Sequence, residues 1–512
     1  MLLAAALVAL VALLPLAYLA IVVGGDVDAA RDSVWTSDAL ALLGRSTALA
    51  AAVTVTAIAI AVPLAWLTVR TDLPGRRLWA VLAALPLVIP SYIGAYLVVS
   101  ALGPSGLAQD ALGVDSLPSI YGFPGAWFVL TAFTYPYVLL PVQAVLRSLD
   151  PALEEAARGM GRSPWQAFRT VVLPQLVPAI GAGGLLVALY VLSDFGAVSI
   201  LRFDSFTSVI YTTYRSSFDR EGAAALACLL VALTVLVLWL EGRTRRARGT
   251  YARAAPGVQR RLPIVALGRW RWPALAFTGG VVGLTLVLPV AVLLYWSTKS
   301  FAGEVEWDVV AGAAGNSLLA AAVAAAVAAT CAVPVALLAV RYAGRLSAGL
   351  ERASFAGHAL PGIVVALALV VVGTRAWPAL YQTLAMLVLA YVVLFLPQAI
   401  GATRAALLRI DPHVEEAARS LGRTPLAVLR TITAPLARSG VVAGALLVFL
   451  TAVKELPATL LLAPIGFETL ATEIFRTTES SFFERGAVPS LVLLAVSAIP
   501  LALLTIRSQD RP

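Results

Sequence analysis

The sequence predicts an all-α integral membrane protein of about twelve transmembrane helices, arranged as two homologous six-helix halves. Three observations carry that prediction. Of the 512 residues, 60% are hydrophobic and only 13% charged, with a mean hydropathy of +0.90; soluble domains are about 45–50% apolar and about 25% charged. Apolar runs of bilayer-crossing length recur along the whole chain. A polar 25-residue segment also occurs twice, at a fixed offset. A soluble fold of this size has no way to cover so much apolar surface, and the abundance of that surface excludes disorder.

Crossing a bilayer as a helix takes about 20 apolar residues. Twelve runs qualify, at 2–23, 47–69, 79–101, 122–146, 177–200, 223–241, 273–296, 316–340, 355–373, 380–403, 438–463 and 487–506. The first lacks a basic n-region and is too long for a signal-peptide core, so it reads as a span. Orientation follows from the arginines. The link 243–271 carries Arg243, Arg245, Arg246, Arg248, Arg253, Arg260, Arg261, Arg269 and Arg271 and no acidic residue, which places it in the cytoplasm. Counting spans outward puts both termini in the cytoplasm, with Arg70, Arg76, Arg77, Arg341 and Arg345. The outer loops then hold Asp26, Asp28, Asp32, Asp110, Asp115, Glu304, Glu306 and Asp308. The net charge of +9 therefore reads as topology and contact with lipid head groups, not as nucleic-acid binding. Trp270 and Trp272 read as interface anchors. Cys228 and Cys331 lie in apolar runs, and His358 and His413 are the only histidines. A disulfide framework, a zinc cluster and a His-based metal site are thereby disfavoured.

The repeat fixes the domain organisation. Asp150–Pro174 (DPALEEAARGMGRSPWQAFRTVVLP) and Asp411–Pro435 (DPHVEEAARSLGRTPLAVLRTITAP) align without a gap at an offset of 261, with 13 of 25 positions identical. AVPLAWLTVR (61–70) matches AVPVALLAVR (332–341), and Ile210, Ser216, Ser217 and Gly222 match Ile474, Ser480, Ser481 and Gly486. The chain divides into a first six-span unit at 1–242, a basic cytoplasmic linker at 243–271 and a second six-span unit at 272–512. An even number of spans inserts both units in the same sense, about an axis along the membrane normal.

Each repeated segment predicts a helix, a glycine turn and a second helix on the cytoplasmic face. Asp150-Pro151 and Asp411-Pro412 are start signals. Gly161 and Gly422 permit a left-handed stop, and Ser163-Pro164 and Thr424-Pro425 open the second helix, which closes before Pro174 or Pro435. Ala156-Ala157 and Ala417-Ala418 leave little bulk, which suits seating against another protein. The acidic pairs Glu154-Glu155 and Glu415-Glu416, with Arg169 or Arg430 downstream, are set to fix that seating through ion pairs.

Glu-Glu-Ala-Ala followed by glycine, placed before the fifth span of each half, resembles the EAA loop of the membrane subunits of binding-protein-dependent ABC importers. The resemblance extends over nearly the whole chain. It implies a type I importer with the MetI-like permease fold, in the cytoplasmic (inner) membrane. It further implies that Glu154, Glu155, Ala156, Ala157 and Gly161, with Glu415, Glu416, Ala417, Ala418 and Gly422, form two coupling helices. Two copies of a cytoplasmic ABC ATPase would dock on them, and an extracytoplasmic binding protein would deliver the cargo. The chain has no Gly-Lys-Ser/Thr: Lys299 follows Thr298 and Lys454 follows Val453. A P-loop needs that lysine, so no catalytic residue and no cofactor is expected in this chain, and ATP and Mg belong to partner subunits.

Charges inside spans are costly and mark function. Asp194 and Glu455 correspond at the same offset of 261, late in the fifth span of each half, with Lys454 beside Glu455 and the helix disruptors Gly196 and Pro457 two residues on. These three charges are the candidate translocation-path residues. Asp194 and Glu455 are the only candidate metal contacts, since carboxylate oxygens suit a hard cation; a pairing of Lys454 with either acid that shapes a gate is the competing reading. The stretches 193–214 and 454–475 are similar to segments of ferric-iron importer permeases, which implies iron as cargo; thiamine and phosphonate permeases share the fused layout. A secondary transporter and a membrane scaffold are the rival classes. The cytoplasmic helix pair argues against the former, the matched acids against the latter.

Overall fold

The computed structural model describes residues 1–25, 36–104, 106–114, 117–216, 219–247, 264–302, 305–342, 344–480 and 482–509. Asp26, Asp28, Asp32, Asp115, Glu304 and most of the basic linker lie outside them. The described residues are helical throughout apart from turns and one isolated parallel bridge, Thr71 to Val265. Ten of the helices are long and apolar enough to cross a membrane. The two other expected spans coincide with the shorter apolar helix Gly362–Arg375 and with Phe483–Gln509.

Several span boundaries differ from expectation. The fifth and eleventh spans begin at Trp165 and Pro425 and end at Ser193 and Ala452, well before residues 200 and 463. The second helix of each polar segment does not close before Pro174 or Pro435 but runs on into the span. Proline lacks an N–H and its ring clashes with the carbonyl four residues back. Here a π-turn immediately precedes it, at Phe168–Val172 and Leu429–Thr433, and the altered bonding pattern carries the helix past the proline.

The described chain packs as two compact units. One comprises Met1–Thr36, Ile210–Val231 and Ser300–Pro512; the other comprises Ser37–Val209 and Ala232–Lys299. Relative to the sequence halves, the first helix is exchanged: Leu2–Gly25 packs on Trp307–Arg341, Arg345–Ser354 and Gly362–Arg375. Reciprocally, Arg271–Val282 packs on Ser37–Arg70 and Arg76–Leu82.

Each unit is built on the same three-helix bundle. In one, Ser37–Arg70, Pro136–Ser148 and Leu173–Ser193 pack mutually; in the other, Trp307–Arg341, Leu384–Leu407 and Ala434–Ala452 do so. Lipid is as apolar as leucine, so association inside a membrane depends on close approach through small residues. Gly183 and Gly444, 261 residues apart, supply that approach. A Cβ on Gly183 would lie 2.6 Å from Val138 Cα, and one on Gly444 would lie 2.9 Å from Ala399 Cα. Gly181, two residues away, has open space beside it. Gly183→Val or Gly444→Val should therefore cost about 1–3 kcal/mol through overpacking and lower the thermal midpoint of the purified chain in detergent, whereas Gly181→Val should leave it unchanged.

Candidate functional site

The two polar segments fold alike in their caps and turns. Asp150 and Asp411 each accept a hydrogen bond at 2.9 Å, from the Ala152 and His413 N–H groups respectively. They cap the nine-residue helices Pro151–Gly159 and Pro412–Ser420. Gly161 and Gly422 close those helices at φ +84° and +82°, a region that favours glycine. The next residue in each case, Arg162 or Arg423, returns its N–H to Ala157 O or Ala418 O at 3.2 Å. The same arginines donate to Thr170 Oγ1 at 2.6 Å and Thr431 Oγ1 at 2.8 Å, holding the turn against the adjoining π-turn.

The acidic pair divides between two tasks. Glu154 and Glu415 point inward and are buried, while Glu155 and Glu416 are exposed. The inward glutamates are held from within the protein, while the downstream Arg169 and Arg430 are exposed. Glu154 accepts from Arg70 Nη2, and Arg70 is itself 1% exposed. Glu415 takes a two-pronged bond from Arg341, with Nε to Oε2 at 3.1 Å and Nη2 to Oε1 at 3.2 Å. Thr433 Oγ1 also donates to Glu415 Oε1 at 2.9 Å. Arg70 and Arg341 are the last residues of Ser37–Arg70 and Trp307–Arg341. They also end the matched decapeptides 61–70 and 332–341, which was the signal that could have revealed them. Removing one partner of a buried pair strands the other charge at about 3–5 kcal/mol.

The surroundings of the two pairs differ. The Arg70 guanidinium lies 5.2 Å from the Trp66 ring centre, Trp66 meets Phe168 edge-on at 4.7 Å, and Phe168 stacks on Trp165 at 5.6 Å. The corresponding region of the second repeat is an aliphatic cluster of Ala336, Leu337, Leu407, Ile410 and Ala437, with Leu429 packed against it.

The outward face is small and apolar. Of each alanine pair one member is buried (Ala157, Ala418) and one exposed (Ala156, Ala417). Around the exposed alanines stand Leu153, Met160 and Trp165 in the first repeat, and Val414, Leu421 and Leu426 in the second, with Met160 74% and Leu421 84% exposed.

Asp194 and Glu455 do not lie within a helix. The preceding helices stop at Ser193 and Ala452, and short helices begin again at Gly196 and Pro457. The carboxylates sit in the breaks and cap these short helices. Asp194 Oδ1 accepts from the Ala197 and Val198 N–H groups at 3.0 and 3.4 Å. Glu455 Oε1 accepts from the Ala458 N–H at 3.2 Å. A second helix start meets each acid. Ser91, first residue of Ser91–Leu102, donates its hydroxyl to Asp194 Oδ2. Gly362, first residue of Gly362–Arg375, lies so close to Glu455 that a Cβ would fall 2.6 Å from Oε1. Aspartate meets serine and the longer glutamate meets glycine, so side-chain length is matched to the space. Helix N-termini carry unpaired N–H groups and a partial positive charge, which satisfies a carboxylate without a counter-ion. Among the described residues Glu455 forms no ion pair with Lys454. Asp194 is buried, whereas Lys454 and Glu455 are part-exposed.

Beyond the second break, Arg476 bonds Glu473 at 2.6 Å and faces Glu468 at 3.5 Å. Arg485 pairs with Glu306 at 3.2 Å. Burial pushes the Glu473 carboxyl above its ordinary range, a hydrogen bond with Glu468 pushes it the same way, and Arg476 opposes both.

The family described as "Binding-protein-dependent transport system inner membrane component" matches residues 57–247 and 329–511, and each match contains one capped helix–turn–helix and one acid-capped break. The chain belongs to this permease family. The permease is 32% identical over 466 residues to the Fe(3+)-transport system permease protein FbpB 2 of Haemophilus influenzae, covering 90% of its own length and 89% of that relative. It is 27% identical over 465 residues to the probable ABC transporter permease protein y4fN of Sinorhizobium fredii, covering 85% and 81%. The sulfate transport system permease protein CysT of Escherichia coli matches at 32% over 181 residues, 34% of this permease and 65% of that protein.

Because Asp194 serves as a cap, Asp194→Ala should destabilise the permease by about 1–2 kcal/mol, read as a lowered thermal midpoint in detergent. Asp194→Asn keeps an acceptor for the Ala197 and Val198 N–H groups and should lose less.

Proposed function

We propose that this permease forms the translocation path of an ATP-driven, binding-protein-dependent importer and that its cargo is ferric iron. The observation that supports it most is the pair of identically built helices, each anchored inward by one glutamate and presenting a small apolar face outward. A cleft in a cytoplasmic ATPase accepts such a face, and two faces call for two ATPase copies. On this reading Glu155, Ala156 and Gly161 belong to one docking element, Glu416, Ala417 and Gly422 to the other, and both termini lie in the cytoplasm. ATP and Mg are held by the ATPases, and this chain performs no covalent chemistry. A loaded binding protein docks on the outer face. ATP binding draws the coupling helices together, the two halves rock and the outer gate opens, and hydrolysis restores the inward-facing state.

Iron as the cargo is supported by a relative that aligns across both repeats and is named for Fe(3+) transport, whereas the sulfate permease aligns over about one repeat. Carboxylate oxygens at the helix breaks suit a hard cation. Of the two acids, Glu455 is the better cargo contact. Asp194 spends both oxygens on helix starts and is buried, while Glu455 is part-exposed beside Lys454.

The test is uptake into vesicles holding this permease with its ATPase and binding protein, using labelled iron, thiamine, a phosphonate and sulfate. Iron uptake that requires both ATP and the binding protein is expected. Uptake that proceeds without the ATPase would instead indicate a secondary transporter, and uptake of another solute in place of iron would remove the cargo assignment. With Asp194→Asn and Glu455→Gln combined, the caps keep their acceptors and the charge is lost; iron uptake should fall at least tenfold with subunit assembly intact, Glu455→Gln accounting for most of the loss.

A further inference from the structure

We propose that Arg70 and Arg341 are positioning residues that make each outward-facing helix move as one body with the second helix of its repeat, so that force applied to the outward face reaches that helix directly. This rests on the reading of those helices as ATPase-docking elements.

The chain itself joins the outward helix Pro412–Ser420 to only two members of the three-helix bundle, Leu384–Leu407 before it and Ala434–Ala452 after it. Its tie to the third member, Trp307–Arg341, is the part-buried Arg341–Glu415 pair. Arg341 Nη2 additionally donates to Ile410 O at 3.2 Å and Leu407 O at 3.4 Å, so one guanidinium gathers the foot of the second helix, the end of the fourth and the outward helix. A planar fork with several donors is suited to that task, and a lysine is not.

The first repeat keeps the pair and changes everything around it. Arg70 bonds Glu154, but its other neighbours are the Trp66 ring and a return of the chain after the linker. There Val265 donates its N–H to Arg70 O at 2.8 Å, and Asp72 holds the Leu267 N–H at 2.8 Å. Packing alone does not demand a buried ion pair, since apolar residues of equal volume stabilise such a site as well or better. The pair recurs at the same place in two repeats whose surrounding cores are aromatic in one and aliphatic in the other. A requirement for registration, not for burial, accounts for that pattern.

The experiment uses the full complex in vesicles and measures cargo uptake per ATP hydrolysed, together with retention of the ATPase on the purified complex. Arg70→Gln and Arg341→Gln should lower uptake per ATP at least fivefold each while the ATPase still co-purifies and hydrolyses ATP; Arg70→Lys and Arg341→Lys, which restore charge without the fork, should recover part of it. Uptake per ATP at the parent value in both Gln variants would overturn the proposal. So would loss of the ATPase from those variants, which would reduce the pairs to contacts that merely hold the fold. The docking reading is tested apart by Ala156→Trp with Ala417→Trp, which alter only the outward faces. If the ATPase binds that variant as it binds the parent, the docking assignment has failed independently of the arginines.

Discussion

A carboxylate withdrawn from water must be satisfied from within the protein, and among the described residues both repeats meet that demand in two ways. At the foot of each bundle the partner is an arginine, the buried Arg70 for Glu154 and the part-buried Arg341 for Glu415. At each helix break the partner is a helix N-terminus, reinforced by Ser91 for Asp194 and by the close approach of Gly362 for Glu455. The choice follows from location. A guanidinium is tolerable where helices emerge at the polar end of a bundle. Deeper along the span a full counter-charge would cost several kcal/mol, and oriented backbone N–H groups do the same work through partial charges.

The same economy shapes the backbone. Pro174 and Pro435 come after the polar segments and look like stop signals, yet the π-turns at 168–172 and 429–433 carry the helix through them. The second helix of each polar segment is therefore continuous with the fifth helix of its repeat, and the outward helix joins it through a turn at a single left-handed glycine. With the arginine tie on the other side, the surface element and the bundle form one mechanical piece. The breaks at Asp194 and Glu455 follow the far end of that continuous helix, and the proposed docking face lies across the glycine turn from its near end.

Much of this was legible in the sequence. Composition and twelve apolar runs gave the class, and the gap-free repeat gave the two bundles, the capped helices and their glycine turns. The acids were found as a matched pair, but their setting was not. The sequence placed Asp194 and Glu455 late in the fifth span, two residues before the disruptors Gly196 and Pro457, because apolar residues continue on both sides; the geometry shows the helix stopping before each acid and restarting after it. The partners of Glu154 and Glu415 were missed because they lie 84 and 74 residues away in the chain. The exchange of first helices between repeats left no trace in hydropathy, since a helix that is apolar all round does not say which neighbour it covers.

The central claim is that the two outward helix faces receive an external motor. A cryo-electron-microscopy structure of the permease with its ATPase subunits and bound ATP tests it most directly. The account predicts one ATPase surface seated on Leu153, Ala156 and Met160 and another on Val414, Ala417 and Leu421, with Glu154 and Glu415 still turned inward. ATPases bound elsewhere, or those six residues embedded in lipid, would contradict it.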